Sequence, residues 1–276
     1  MLIRSFQEVE AAGNVVGISH GKSSAVRVLL KADGLGFSLS EARCGAHNES
    51  RLQYKNHWEA NYIRAGHGRL INHTTGESIE LKPGDLYCVG PNDFHGVANQ
   101  DDPLRIISVF NPPIEGPETH DDEGAYPPTG PLPPRKDPMF VRTTDDVRAA
   151  GGEKFVGDGT VRAIRLLTSA DEMGFSLSEV HLGAGSTQNL WYKHHWEANL
   201  VLEGKLTVTD KTTGEKHELG FGDVYCVGPN DPHQLDAKTD IKLLAIFNPP
   251  LSGEEKHDAD GAYPPTGPIP PGPATG

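Results

Sequence analysis

Three cysteines in 276 residues, Cys44, Cys88 and Cys226, are too few, and odd in number, for a disulfide framework. Cys88 and Cys226 occupy matching places inside apolar stretches, where a small buried thiol is expected. No run approaches the ~18 apolar residues of a membrane span. The opening MLIRSFQEVE mixes charge with apolar residues and has no signal-peptide core, so the expected location is cytoplasmic. Basic residues are outnumbered, 25 Lys and Arg against 38 Asp and Glu, giving a formal net charge of −13. That balance argues against nucleic acid or an anionic membrane surface as partner and is read as a solubility device. Helical periodicity is missing too: nowhere does a 3.6-residue pattern persist beyond about two turns.

What is present is a repeat. YKNHWEAN (Tyr54–Asn61) returns as YKHHWEAN (Tyr192–Asn199), and GDLYCVGPNDFH (Gly84–His95) returns as GDVYCVGPNDPH (Gly222–His233). Glu59, Tyr87 and His95 thus recur as Glu197, Tyr225 and His233, each 138 residues on. A fixed register of that length is a tandem duplication, and each copy is long enough to bury its own core.

GFSLSEARC (36–44) and GFSLSEVHL (174–182) alternate with period two, as strands with one buried face do. SAVRVLL, TVRAIRLL, LRIISVFNPP and IKLLAIFNPP read as further strands, and Thr-Thr-Gly at 74–76 and 212–214 as hairpin turns. The segments 1–10 and 139–148 read as extended lead-ins with a short polar turn. Many short strands with Gly/Pro turns predict an all-β sandwich or small barrel in each half. Each half ends in a proline-rich stretch, Tyr126–Pro138 and Tyr263–Gly276. The first is predicted to be a semi-rigid linker and the second a disordered or surface-hugging end, dividing the chain into 1–126, a linker 127–138, and 139–276.

Glu59 stands seven residues before Gly66, and His95 eleven after Gly84; Glu197, Gly204, Gly222 and His233 repeat the spacing. This two-part pattern resembles that of cupins, small jelly rolls in which histidines and a glutamate from facing strands hold a metal. Where cupins carry their first paired histidines, this chain has Gln53, Tyr54 and Lys55, so the usual three-histidine, one-glutamate set is absent. YKxHxEA, GDxYxxxxxDxH and FxPxxxGxExH, the last standing as FNPPIEGPETH (Phe110–His120) and FNPPLSGEEKH (Phe247–His257), together resemble ectoine synthase. That family comprises single-domain cupins that close an acetylated diaminobutyrate into a cyclic amidine with loss of water. The resemblance spans most of each half, and it implies two tandem cupin jelly-roll barrels. It further implies iron held by Glu59, Tyr87 and His95, and again by Glu197, Tyr225 and His233.

Those donors make chemical sense. Carboxylate, phenolate and imidazole form a set of intermediate hardness suited to iron, and three protein ligands leave positions open for a Lewis acid. The bland alternative is a strand aromatic at Tyr87 and a surface charge at Glu59; matched spacing in both halves favours the ligands. Strand alternation predicts His57, Glu59 and Lys55 on one face. His57 and His195 then orient substrate or relay a proton, or are satisfied interior histidines. Tyr54, Tyr192, Phe110 and Phe247 are candidate cavity walls, with core packing the alternative. Glu118 with His120, and Glu255 with His257, match the family's substrate-contacting acid and its neighbour. Glu118 and Glu255 are therefore candidate catalytic bases, and His120 and His257 candidate substrate ligands. Asp93 and Asp231 read as turn-closing residues.

The chain also departs from the family. A threonine twelve residues before the first-block tyrosine is replaced by Ala42 and Val180, and a cysteine two before the Phe by Ser108 and Ala245. A tryptophan near the start of the second strand occurs in neither half. The leading expectation is a metal-dependent, ring-closing dehydration of an N-acetylated diamino acid or related small polar substrate. An iron-dependent oxygenase or lyase on a different small polar acid is the alternative, and a non-catalytic ligand-binding cupin the third. The two copies are expected to form an intramolecular pseudo-dimer, open to further homo-oligomerisation.

Overall fold

A computed structural model describes residues 1–19, 23–156 and 159–273. Strands dominate, as the period-two stretches require; the α-helices among the described residues are Phe6–Ala11 and Thr144–Ala149. The chain forms two compact units, an N-terminal one of Phe6–Thr144 and a C-terminal one of Met1–Ser5 with Asp145–Gly276.

In the N-terminal unit a seven-stranded sheet runs in the order Phe140–Arg142, Leu86–Val89, Trp58–Ala65, Leu104–Asn111, Ser38–Cys44, Ser23–Leu29 and Val15–Ile18, with every pairing antiparallel. A second sheet orders Ser78–Leu81, Gly68–Asn72 and His95–Ala98. Side chains of both sheets form one core, with Ile63, Tyr87 and Phe110 from the first meeting Leu70, Leu81 and Val97 from the second. Two antiparallel sheets around one core, with neighbours distant in sequence, make a jelly roll. The C-terminal unit repeats it with sheets of seven and four strands. Its core joins Tyr225, Leu243 and Phe247 to Leu206, Val208 and Leu235.

The repeated GPND turn is explained by packing. A Cβ at Gly90 would enter the Trp58 ring, and one at Gly228 the Trp196 ring. Glycine lets the strand end lie flat on the indole, and Asp93 Oδ2 accepts the Gly90 N–H to close the turn (2.8 Å), as Asp231 does for Gly228 (2.9 Å).

Three expectations are corrected. The lead-ins are strand followed by helix. Leu2–Ser5 precedes Phe6–Ala11, and Phe140–Arg142 precedes Thr144–Ala149. The division at 126/139 shifts because of strand pairing: Leu2–Ser5 pairs with Asp223–Val227, in register Ile3 to Tyr225, and Phe140–Arg142 pairs with Leu86–Val89, Val141 to Tyr87. Each lead-in strand thus completes the sheet of the other repeat, and Met1–Ser5 counts with the C-terminal unit. The stretch 127–138, expected as a linker, belongs to the N-terminal unit. There the Arg135 guanidinium lies over the rings of Trp58 (5.3 Å) and Phe140 (4.8 Å), and the Thr129 carbonyl accepts from Lys31 Nζ (2.7 Å). The second proline-rich tail hugs its own unit, with the Pro270 carbonyl accepting from Trp196 Nε1 at 3.1 Å. Its last three residues, 274–276, lie outside the described residues. Cys44, Cys88 and Cys226 are buried and free of disulfides. No helix among the described residues is long and apolar enough to cross a membrane.

Candidate active site

Each unit holds a small cavity partly open to solvent. Alternation along Trp58–Ala65 brings Glu59 and Asn61 to the first cavity, beside Tyr87, which lies opposite Asn61. Tyr54, Phe110, His120 and Tyr126 also line it. Glu197, Asn199, Tyr225, Tyr192, Phe247, His257 and Tyr263 repeat this arrangement in the second. The Tyr54 ring packs edge-on to Phe110 and lies 5.8 Å from the His95 ring, while His233 lies 6.4 Å from Tyr225 and 6.3 Å from Tyr192. The cavity-wall aromatics are therefore brought together with the candidate ligands.

The donors are poised for a cation. His95 and His233 each place Nδ1 2.9 Å from a backbone carbonyl, of Asp93 and Asp231. A carbonyl only accepts, so Nδ1 carries the hydrogen and the lone pair lies on Nε2. In the C-terminal unit His233 Nε2 and Glu197 Oε2 are both buried without a partner. Leaving such buried polar atoms unpaired is costly, and a bound metal would relieve it. Burial raises the Glu59 carboxyl to about 7, partly offset by the neighbouring polar side chains of Asn61 and Ser108, and raises Glu197 to about 8. Burial, reinforced by those carboxylates, pushes Tyr87 and Tyr225 well above the usual phenol range. It lowers His95 to about 4, so that imidazole is neutral. Among the described residues no three His, Cys, Asp or Glu side chains converge as a metal cluster; the candidate set is one Glu, one His and one Tyr. The residues present fit a metal.

Other sequence-predicted residues stand elsewhere. The strand begins at Trp58, after a turn at Lys55–Asn56, so His57, Glu59 and Lys55 do not share a face. Lys55 pairs with Glu123 in solvent, and His57 Nε2 meets Thr129 Oγ1 at 3.0 Å, its ring edge-on to Phe110 and Tyr126. His195 repeats this with Thr266. Neither histidine lines a cavity, and burial lowers both to about 4. The Glu118 carboxylate accepts the N–H groups of Glu115 and Gly116 (2.5 and 2.7 Å) and lies 3.6 Å from Arg27. Glu255 likewise accepts from Ser252 and Gly253. Burial raises the Glu255 carboxyl, but those N–H donors outweigh it and leave it below its ordinary value.

His120 does reach the cavity. Its Nδ1 accepts the Ser19 N–H at 3.0 Å, so Nε2 carries the hydrogen and donates to Tyr54 Oη, also at 3.0 Å. The Tyr54 hydroxyl hydrogen is then left for another acceptor. His257 and Tyr192 form the same contact at 3.2 Å. Asn61 and Asn199 are further cavity residues, each with a buried Nδ2 that has no partner. The signal for them was in the sequence: WEAN survives in both copies, with Asn two residues after Glu and hence on its face.

Comparison with known proteins agrees with this geometry. The family described as ectoine synthase matches residues 1–130 and again 139–267. L-ectoine synthase of Saccharopolyspora erythraea is 38% identical over 126 residues, 46% of this chain and 92% of that protein. L-ectoine synthase of Mycolicibacterium gilvum is 39% identical over 127 residues, covering 46% and 96%. Among solved structures, a point mutant of salicylate 1,2-dioxygenase from Pseudoaminobacter salicylatoxidans, in complex with gentisate, superposes with TM-score 0.63 at 17% identity, over 90% of this chain and 81% of that one. Oxalate decarboxylase of Lactobacillus farciminis, a formate complex, gives 0.62 at 14%, over 91% and 87%. These two share the tandem cupin fold. With both halves matched, the chain belongs to the ectoine synthase family, as a tandem duplication of its cupin.

Proposed function

We propose that this chain is a metal-dependent, ectoine-synthase-like lyase that closes an N-acetylated diamino acid into a cyclic amidine. The observation that carries the reading is that Glu197 and Tyr225 line one cavity, with His233 against the Tyr225 ring and its Nε2 buried without a partner. Glu59, Tyr87 and His95 are the matching set, and iron is the metal that the donor chemistry favours. When bound, the metal supplies a Lewis acid for the amide carbonyl oxygen.

The chain's own residues do the rest. In the reaction the free amine nitrogen attacks the amide carbon, a C–N bond forms, and the carbonyl oxygen leaves as water with two hydrogens given up by the nitrogens. Tyr54, held protonated by burial and oriented by His120, would donate to that departing oxygen. Tyr192 and His257 are the counterparts. Phe110 and Tyr126 wall the cavity against water. Glu118 and Glu255, expected as bases, have their carboxylates occupied by their own loop, and their part is to close the loop that leads to His120 and His257.

The test is anaerobic incubation of iron-loaded protein with N-acetylated 2,4-diaminobutyrate, followed by proton NMR. The cyclic amidine should form without oxygen. Turnover that needs oxygen, with oxygen consumed in proportion to product, would establish the oxygenase alternative instead.

A further inference from the structure

Two buried amides sit beside the candidate ligands and are not explained by them. Asn61 and Asn199 are each 1% exposed, line their cavities, and leave Nδ2 without a partner among the described residues. Each stands two residues after the glutamate and on its face of the strand. Each also lies opposite the tyrosine of a neighbouring strand, Asn61 to Tyr87 and Asn199 to Tyr225. In the N-terminal unit the amide is held from its other side. Ser108 lies opposite Asn61 and donates its hydroxyl to Asn61 Oδ1 at 2.6 Å, which leaves Nδ2 as the spare end. Asn199 faces Ala245, which has no hydroxyl to offer.

A metal cannot satisfy these amides. A cation takes lone pairs, and Nδ2 offers only hydrogens. The neighbouring Glu59 and Glu197 oxygens do not take them up either. A buried donor without an acceptor is costly, and here it stands at the same place in both copies. What fits it is a second bound component that brings an acceptor oxygen to the glutamate and the tyrosine.

We infer that Asn61 and Asn199 are catalytic donors to the amide carbonyl oxygen of the substrate, with Ser108 positioning Asn61. The inference rests on the ring-closing reading, which brings that oxygen to the candidate metal ligands. An amide oxygen has two lone pairs, so it can serve a Lewis acid with one and accept from Nδ2 with the other. As the amine attacks the carbonyl carbon, negative charge gathers on this oxygen and the hydrogen bond from Nδ2 strengthens. The cyclic amidine has lost the oxygen and offers no acceptor there, so the same donor favours substrate over product.

The experiment compares wild-type protein with a variant carrying Asn61→Leu, Asn199→Leu and Ser108→Ala, the last so that no serine hydroxyl is stranded. Turnover of N-acetylated 2,4-diaminobutyrate by the iron-loaded variant should fall roughly 10²–10³-fold, the range for one such donor, with iron content unchanged. Calorimetric titration of the full-length protein then supplies a readout without turnover. Its probes are 4-acetamidobutanoate, which has the amide but no amine to close a ring, and heptanoate, the same chain without the amide. Wild-type protein should favour the acetamide, and the variant should lose at least about tenfold of that preference, which a merely structural role would leave alone. Should leucine disturb the fold, alanine at the same three positions gives the same comparison. A preference unchanged in the variants would overturn the assignment, whether or not wild-type protein forms the amidine. A preference lost in the variants, with no amidine from wild-type protein, would overturn the ring-closing reading and leave the amide-oxygen donors in place.

Discussion

His120 Nδ1 accepts the Ser19 backbone N–H at 3.0 Å, and this bond decides the tautomer of the ring facing Tyr54. With the hydrogen on Nε2, the histidine donates and the tyrosine is left to donate onward. Tyr54→Phe with Tyr192→Phe should therefore cut turnover by roughly 10²–10⁴-fold, the range for one positioned proton donor, with metal content unchanged. Glu118→Gln should act differently. Gln keeps one acceptor for the loop N–H groups but loses the ion pair to Arg27, so a higher KM and a lower melting temperature should outweigh any change in kcat. Steady-state kinetics beside thermal melts separate the two.

Metal loading should depend on Tyr87 and Tyr225 and on pH. Wild-type protein should carry up to two irons per chain by elemental analysis, and Tyr87→Phe with Tyr225→Phe should empty both sites while the β-sheet circular dichroism persists. Binding displaces the tyrosine proton and, below about pH 7 at Glu59 or about pH 8 at Glu197, the carboxyl proton too. Affinity should then fall at least about tenfold per unit of acidification. Iron retained in the double variant would remove the tyrosines from the ligand set.

Much of this was legible in the sequence, because a duplicated chain is its own control. Glu59, Tyr87 and His95 recur in register, and alternation places Glu59 inward. The β class followed from period-two runs. Less legible was everything set by a turn or by distant pairing. Two residues of turn at Lys55–Asn56 break the alternation that would have put His57 beside Glu59. Nothing in LIRS says that it pairs with a strand more than 200 residues on, since a four-residue edge strand carries almost no periodicity. The occupied carboxylates of Glu118 and Glu255 depend on loop N–H groups that composition does not reveal.

Stability should have a maximum in pH when metal is absent. Burial lowers His57, His95, His195 and His257 to about 4 in the folded chain, against about 6.5 when unfolded. Between those values the unfolded state binds more protons, so stability is lost as pH falls from about 6.5 towards 4. Glu59 and Glu197 act oppositely: raised to about 7 and 8, they bind more protons folded, and stability declines as pH rises from about 4.5 through those values. Four histidines outweigh two carboxyls below about pH 6.5 and contribute nothing above it. Metal-free protein should thus be most stable near pH 6.5 in urea melts, and iron should abolish the decline on the alkaline side. A metal-free curve that keeps rising to pH 8 would contradict the burial of the two glutamates.

The exchanged lead-in strands make a prediction about cutting the chain. Separation within 127–138 leaves a fragment holding Leu2–Ser5 but lacking Phe140–Arg142, which borders Leu86–Val89 beside Tyr87. The other fragment keeps Phe140–Arg142 but lacks Leu2–Ser5, which borders Asp223–Val227 beside Tyr225. Each piece made alone therefore has an open edge next to a candidate metal ligand, and an unpaired edge strand invites aggregation or foreign pairing. Expressed separately, the fragments should be less stable than the intact chain and prone to associate. Expressed together, they should form a 1:1 complex with two-site metal loading restored, because each supplies the strand that the other lacks. Size-exclusion chromatography with light scattering and metal analysis reads both. Deleting residues 1–5 from the intact chain should lower loading at the Glu197, Tyr225, His233 site and spare the Glu59, Tyr87, His95 site. Equal loss at both sites, or fragments that remain monomeric and bind metal unaided, would refute the exchange.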